Sequence, residues 1–277
     1  MVFTPHKVIS SIQNPLLKNL IKLKDAKHRS RQKEFGVEGE REIRRALASG
    51  YELRQLWVQT QQLRDGGHKL IQETFPDSRS EKTQALLVEC SPQVFEKIVI
   101  RNNADGLYAC FTEKPVSPES LLGASEAPLI VVLENTEKPG NIGAVLRSAD
   151  GAGASGLILI SDKKPDLFHP AVIRNSLGTV FSVPVMYMSQ DKAIEFLTHH
   201  GIRCIATAMN QKSIPWTDAD LKSPSALFLG NEAVGLSEEM IRQCEINVQL
   251  PMLGIADSLN VSSAASVLLY EARRQRS

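Results

Sequence analysis

Aromatic residues are scarce, at 5% of the chain, and the four cysteines and six histidines are scattered. A platform built mainly from stacked rings for single-stranded nucleic acid is therefore disfavoured. Cys90, Cys110, Cys204 and Cys244 match neither a CxxC zinc knuckle nor a dense disulfide framework. No His or Cys cluster has metal-ligand spacing, so no metal is expected and the setting is read as reduced and intracellular. Long apolar runs are missing too: none approaches the roughly 18 to 20 residues that cross a bilayer, so no membrane partner is expected. The start, MVFTPHKVISSIQ, lacks the apolar core of a signal peptide, which makes a cytoplasmic location the expectation.

Net charge is also nearly absent: 32 Lys and Arg stand against 31 Asp and Glu in 277 residues. Taken alone, that argues against a polyanionic partner. The distribution reverses the inference, because residues 1 to 33 hold eight basic residues and one acid, a net of +7, and the other 244 carry a net of −6. A basic arm that meets a polyanion and a plain solvated helix face both fit this asymmetry.

The length predicts about two domains. Asn14-Pro15 reads as a helix start, followed by Leu16, Leu17, Leu20 and Ile21 at helical spacing among Lys and Arg. A helix over Glu40 to Ser49, strands over Leu53 to Val58, Ala85 to Val88 and Gly106 to Phe111, and a helix near Gln93 to Ile98 complete a small α/β unit, residues 1–112. The stretch EKPVSPESLLGASEA, residues 113–127, reads as a linker. From 128 to 277 short apolar strands alternate with helices, beginning with Leu129 to Leu133, Asn141 to Asp150 and Gly156 to Ile160. That pattern predicts a parallel sheet covered on both faces.

Gly151-Ala-Gly153-Ala-Ser-Gly156 spells the dinucleotide-binding GxGxxG, but in reversed polarity. It follows a helix and precedes a strand, whereas the fingerprint needs a strand first and a helix N-terminus facing the pyrophosphate. A helix C-cap and tight turn is the better reading, and a nicotinamide-dependent oxidoreductase is disfavoured.

Ligands of open parallel sheets gather beyond the carboxyl ends of strands, which directs attention to three loops. The first, Glu134 to Arg147, places Asn141 at the expected helix N-cap and Arg147 less than two turns further on. The second, Leu229 to Ser237, sets Asn231 and Glu232 between Gly230 and Gly235. The third, Leu250 to Asn260, leads into a helix with the apolar stripe Val261, Ala264, Ala265 and Leu268. Each alone is weak. Asn141 could be a plain cap, Arg147 a surface cation, and Ser258 and Asn260 caps of the last helix.

Together and in this order they resemble the SpoU (TrmH-type) RNA ribose methyltransferases of the SPOUT superfamily. ENTEKPGNIGAVLRSADGAG is similar to the first family motif, LFLGNEAVGLS to the second and LPMLGIADSLNVSSAASVLLYEARRQ to the third. The N-terminal unit resembles, more loosely, the L30e-like substrate-binding domain of larger members. The resemblance implies a C-terminal α/β domain with a deep trefoil knot, a homodimer through that domain, and methyl transfer from S-adenosylmethionine to a ribose 2′-hydroxyl of RNA. Ribosomal RNA of the large subunit is the favoured substrate, with transfer RNA, or a catalytically inactive RNA-binding protein, as alternatives.

By the same resemblance Leu229, Gly230, Leu250, Met252 and Leu259 hold the methyl donor, and Asn141, Arg147, Glu232, Ser258 and Asn260 are the catalytic polar set. Family proposals cast the arginine as general base. A guanidinium stays charged at neutral pH, so phosphate binding and stabilisation of the developing alkoxide are the favoured roles for Arg147. Glu232 stands open between direct participation and a structural role on backbone amides. RNA contacts are expected from Lys18, Lys22, Arg29, Arg31 and Arg174, the last in an Arg-x-Ser-x-Gly pattern that relatives share, where a plain surface cation fits equally well.

Overall fold

The structure is a computed structural model and describes residues 8–77, 80–100, 105–161 and 163–277. The described chain divides into two compact units. One runs up to Pro115 and includes Phe168–Ile173; the other holds Val116–Leu167 and Arg174–Ser277.

The first unit contains β1 (Val8–Ile9), α1 (Pro15–Lys22), α2 (Ala26–Gln32), β2 (Glu34–Glu38), α3 (Glu40–Ala48), β3 (Leu53–Val58), α4 (Asp65–Thr74), α5 (Glu81–Leu86), β4 (Leu87–Cys90), α6 (Pro92–Ile98) and β5 (Leu107–Thr112). Its sheet has the order β1-β4-β3-β5-β2, with β5 antiparallel to both neighbours. Asn14 caps α1 by accepting from the Leu16 amide, and Pro15 sits where no hydrogen bond is lost. Leu17, Leu20 and Leu23 are buried with Val94, Phe95 and Ile98 of α6, while Ile21 stays exposed. The predicted strand at Ala85 shifts to Leu87, because α5 takes up the first part of that segment.

Residues 113–127 pack locally, each part on its own unit. Glu113 donates its amide to the Lys33 carbonyl, and Lys114 caps the Ser49 carbonyl. A 3₁₀ turn at Pro118–Leu122 then buries Leu121 against Gly156, where a side chain would collide with it.

The second unit contains β6 (Leu129–Glu134), α7 (Pro139–Ala152), β7 (Gly156–Ile160), β8 (Val185–Tyr187), α9 (Gln190–His199), β9 (Arg203–Thr207), β10 (Ile214–Pro215), β11 (Ser225–Leu229), α10 (Glu238–Gln243), β12 (Ile246–Gln249) and α11 (Val261–Gln275); α8 (Pro170–Asn175) is divided, with Pro170–Ile173 in the first unit and Arg174 and Asn175 in the second. All seven strands are parallel, in the order β10-β12-β9-β11-β6-β7-β8. Every residue of β6, β7 and β11 is buried, as a sheet covered on both faces requires. One face packs on Ala193 and Leu197 of α9 and Met240 of α10; α11 packs on α7 and β11. Gly153 ends α7 with φ +74°, so the GxGxxG is a helix C-cap and the start of β7.

This topology explains why three motifs far apart in sequence meet. A parallel sheet sends all its carboxyl ends to one edge. The order β12-β9-β11-β6 therefore lines up the third loop, the end of β9, the second loop and the first loop side by side.

Candidate active site

A cavity of about 300 Å³ lies along that edge, lined by residues from β9, the loop after β11 and the loop after β12. Leu229, Gly230, Leu250, Met252 and Leu259, the residues expected to hold a donor, all line it, together with Glu232 and Ser258. Thr207, Gln249 and Asp257 line it as well and were not singled out in the sequence. Thr207 ends β9, so the rule that ligands collect beyond strand ends would have found it. Its hydroxyl is buried and has no hydrogen-bond partner among the described residues.

The loop after β11 is closed on itself. Gly235, at φ +72°, donates its amide to the Asn231 carbonyl at 2.8 Å, and the Asn231 side chain accepts from the Ala233 amide at 2.8 Å. A side chain at Gly230 would fall on the Gly235 carbonyl group and the Leu236 amide, so this position requires glycine for close approach.

Asn141 is not the helix cap that the sequence predicts. Helix α7 starts two residues earlier at Pro139, with Lys138 as N-cap, because proline at the first helical position sacrifices no donor. Freed from capping, the Asn141 amide donates to Glu232, and its carbonyl oxygen accepts from Asn260 at 3.3 Å. Asn260 does cap α11, accepting from the Ser262 amide at 3.0 Å and its hydroxyl at 2.6 Å. Asn260 thus caps α11 and bonds to Asn141 at the same time. One polar chain thus runs from α11 through α7 to the loop after β11, joining all three motifs.

Glu232 takes no backbone amide among the hydrogen bonds described; its second oxygen lies 3.8 Å from Lys138 Nζ. The carboxylate that does hold backbone is Glu134, which accepts the amide and the hydroxyl of Ser237. Arg147 is exposed on α7, without a hydrogen bond or ion pair among the described residues. Arg174 is likewise exposed, on α8. In the first unit Lys18, Lys22 and Arg31 are exposed. Arg29, expected on the RNA-facing surface, is instead buried at 2% exposure and donates to the Leu23 carbonyl, bracing the α1–α2 turn. Among the described residues no group of acidic, His and Cys side chains could hold a metal, and no helix is long and apolar enough to cross a membrane.

Comparison with known proteins places this geometry. An AdoMet-bound rRNA methyltransferase from Sinorhizobium meliloti superposes with a TM-score of 0.84 at 30% identity over 97% of both chains. A 23S rRNA (uridine(2479)-2′-O)-methyltransferase from Streptomyces viridochromogenes is 31% identical over 90% of this chain and 85% of its own. A tRNA (guanosine(18)-2′-O)-methyltransferase from Thermus thermophilus is 35% identical, over 57% of this chain and 80% of its own. Fold and site define an S-adenosylmethionine-dependent RNA 2′-O-methyltransferase. Residues 128–270 match the model of the SpoU rRNA Methylase family, to which the chain belongs, and residues 14–109 match the MRM3-like substrate binding domain.

Proposed function

We propose that the substrate is large-subunit ribosomal RNA, recruited by residues 1–112 and methylated by the domain spanning 128–277. The observation that carries this reading is the reach of the likeness: the Streptomyces 23S rRNA enzyme is matched across both units, the Thermus tRNA enzyme over little more than half of the chain.

The cavity suits the methyl donor. The loops after β11 and β12 form its wall through Gly230, Leu250 and Leu259, and Thr207 offers a buried hydroxyl without a hydrogen-bond partner among the described residues. S-adenosylmethionine, when bound, supplies a methyl group already activated by its sulfonium. The protein then has to place the ribose oxygen in line and ease the loss of its proton. Asn141 and Asn260, tied to each other and to Glu232, fix the polar wall beside which that hydroxyl would lie. The donor would supply the methyl group, its sulfur keeping the electron pair of the bond given up, and the ribose hydroxyl held at this polar wall would lose its proton to solvent. Arg147, exposed and unpaired among the described residues, is available for the adjoining phosphate and for the negative charge that develops on oxygen. Ser258 at the cavity wall would complete the hydroxyl's hydrogen bonds.

A homodimer through the C-terminal domain belongs to the same reading, and so do the trefoil knot and a cytoplasmic location. Support for the dimer comes from Val234, Leu253 and Ile255, exposed at 82, 97 and 104% beside the cavity, which an association would bury. Light scattering of the full chain tests it, with a monomer counting against it. The function is tested by incubating the protein with labelled donor and either 23S rRNA or total tRNA, then mapping alkali-resistant linkages. Methylation of one ribose in 23S rRNA is the expected result; label on tRNA alone would overturn the substrate, and label on bases the reaction.

A further inference from the structure

We propose that Glu134 is a positioning residue for methyl transfer, its buried carboxylate fixing the loop that carries Glu232 and forms one wall of the donor cavity. The proposal rests on the donor-binding reading of that cavity. Glu134 ends β6 and is 4% exposed. A buried carboxylate is costly unless its oxygens are hydrogen-bonded. Here Oε2 accepts the Ser237 amide and Oε1 the Ser237 hydroxyl, each at 2.7 Å, the length of strong charge-assisted bonds. The Ser237 hydroxyl in turn caps α10 by accepting the Met240 amide at 3.2 Å. The carboxylate therefore holds the point where the loop after β11 becomes a helix.

The other end of the loop is held to the same strand end. Leu229 pairs with Leu133 in the sheet, and the Asn231 side chain donates to the Asn135 carbonyl at 2.9 Å. Between these anchors the loop is a closed ring, cross-bonded from Gly235 to Asn231 and packed so tightly at Gly230 that no side chain fits. Such a ring shifts as a unit. Releasing its exit at Ser237 displaces Gly230, Glu232 and Gly235 together, and all three line the cavity. The Glu232 bond to Asn141 is displaced with them.

The test uses the full chain, calorimetry with S-adenosylhomocysteine, steady-state methyl transfer and thermal melting. Glu134→Ala should raise the Kd for S-adenosylhomocysteine about tenfold, the loss expected for one or two charge-assisted bonds, and lower kcat, with KM for RNA unchanged. Glu134→Gln should recover much of this, since an amide can accept from the Ser237 amide and donate to its hydroxyl. Should the alanine variant not fold, Ser237→Ala carries the test, because it removes one of the two bonds from the other side and should weaken product binding about threefold. Wild-type affinity in folded Glu134→Ala, or in Ser237→Ala, overturns the proposal, as does an equal weakening of RNA and donor binding. An unmutated protein that does not bind S-adenosylhomocysteine would instead overturn the functional reading beneath it.

Discussion

The two sheets of this molecule solve different problems. In the first unit β5 runs against both of its neighbours, so strand ends of opposite sense alternate along that part of the sheet. In the second unit all seven strands run the same way, and four adjacent strand ends deliver the site. Chemistry is therefore concentrated on one edge of the parallel sheet. In the first unit the charge sits on α1 and α2, outside the sheet, where Lys18, Lys22 and Arg31 are exposed. A parallel sheet can bring distant motifs to one point; a mixed sheet better serves as a support for a charged surface.

The largest effect should come from the strand-end site. Arg147→Lys keeps the charge and loses the planar fork, so the methylation rate should fall about 100- to 1000-fold, with S-adenosylhomocysteine binding intact. Equal loss of donor binding, measured by calorimetry, would show that Arg147 belongs to the donor wall. Asn141→Asp sets a carboxylate against Glu232 and removes the donor that joins them. Repulsion between the two should lower kcat about 10- to 100-fold and shift the pH–rate profile, because one of the pair would retain a proton. A rate within twofold of wild type would remove the three-motif polar chain from the mechanism.

Breaking the other side of the comparison needs substitution and not truncation. Helix α1 carries charge on one face but buries Leu17 and Leu20 on the other, so removing the first 33 residues would empty the core beneath α6. Lys18→Gln, Lys22→Gln and Arg31→Gln combined should weaken RNA binding about tenfold and reduce the slope of log K against log salt by about two, at roughly 0.7 for each phosphate that is no longer neutralised. Donor affinity should not move. An unchanged salt slope would make this a solvated face.

Much of the second unit was legible because its signals are redundant. Apolar strands, alternation with helices and three strand-end motifs all agree, and the elements fall close to where they are expected. What the sequence left open is decided by tertiary bonds. Pro139 against Asn141 as the start of α7 is a contest between two good helix-start residues, and only the bond to Glu232 shows why the asparagine is kept free. Glu134 read as the first residue of a loop; that it ends β6 and that its carboxylate serves Ser237, 103 positions away, has no local signature. In the first unit α2 and α4 went unread, being short or glycine-containing and weakly patterned. Arg29 looked like one more cation in a basic run, since burial of a single arginine against the Leu23 carbonyl leaves no trace in charge counts.

The cysteines offer a final and smaller test, with one pair in each unit. Burial pushes the Cys90 thiol up to about 12 and Cys204 up to about 12, and raises Cys110 and Cys244 as well. Folded thiols therefore stay protonated at pH 8 to 10, whereas unfolded ones ionise near about 8.5. The folded state then holds more protons than the unfolded state, so these groups make stability fall as pH rises above that value. Alkylation of the buried Cys90, Cys110 and Cys204 at pH 8 accordingly proceeds through opening of the unit that contains each. S-adenosylhomocysteine at five times its Kd should slow labelling of Cys204 about sixfold, by mass action on the unit that binds it, and leave Cys90 and Cys110 unaffected. Peptide mass spectrometry over a time course distinguishes them. Equal protection of all three would mean that the two units open as one, and that the division of labour between the sheets does not extend to their stability.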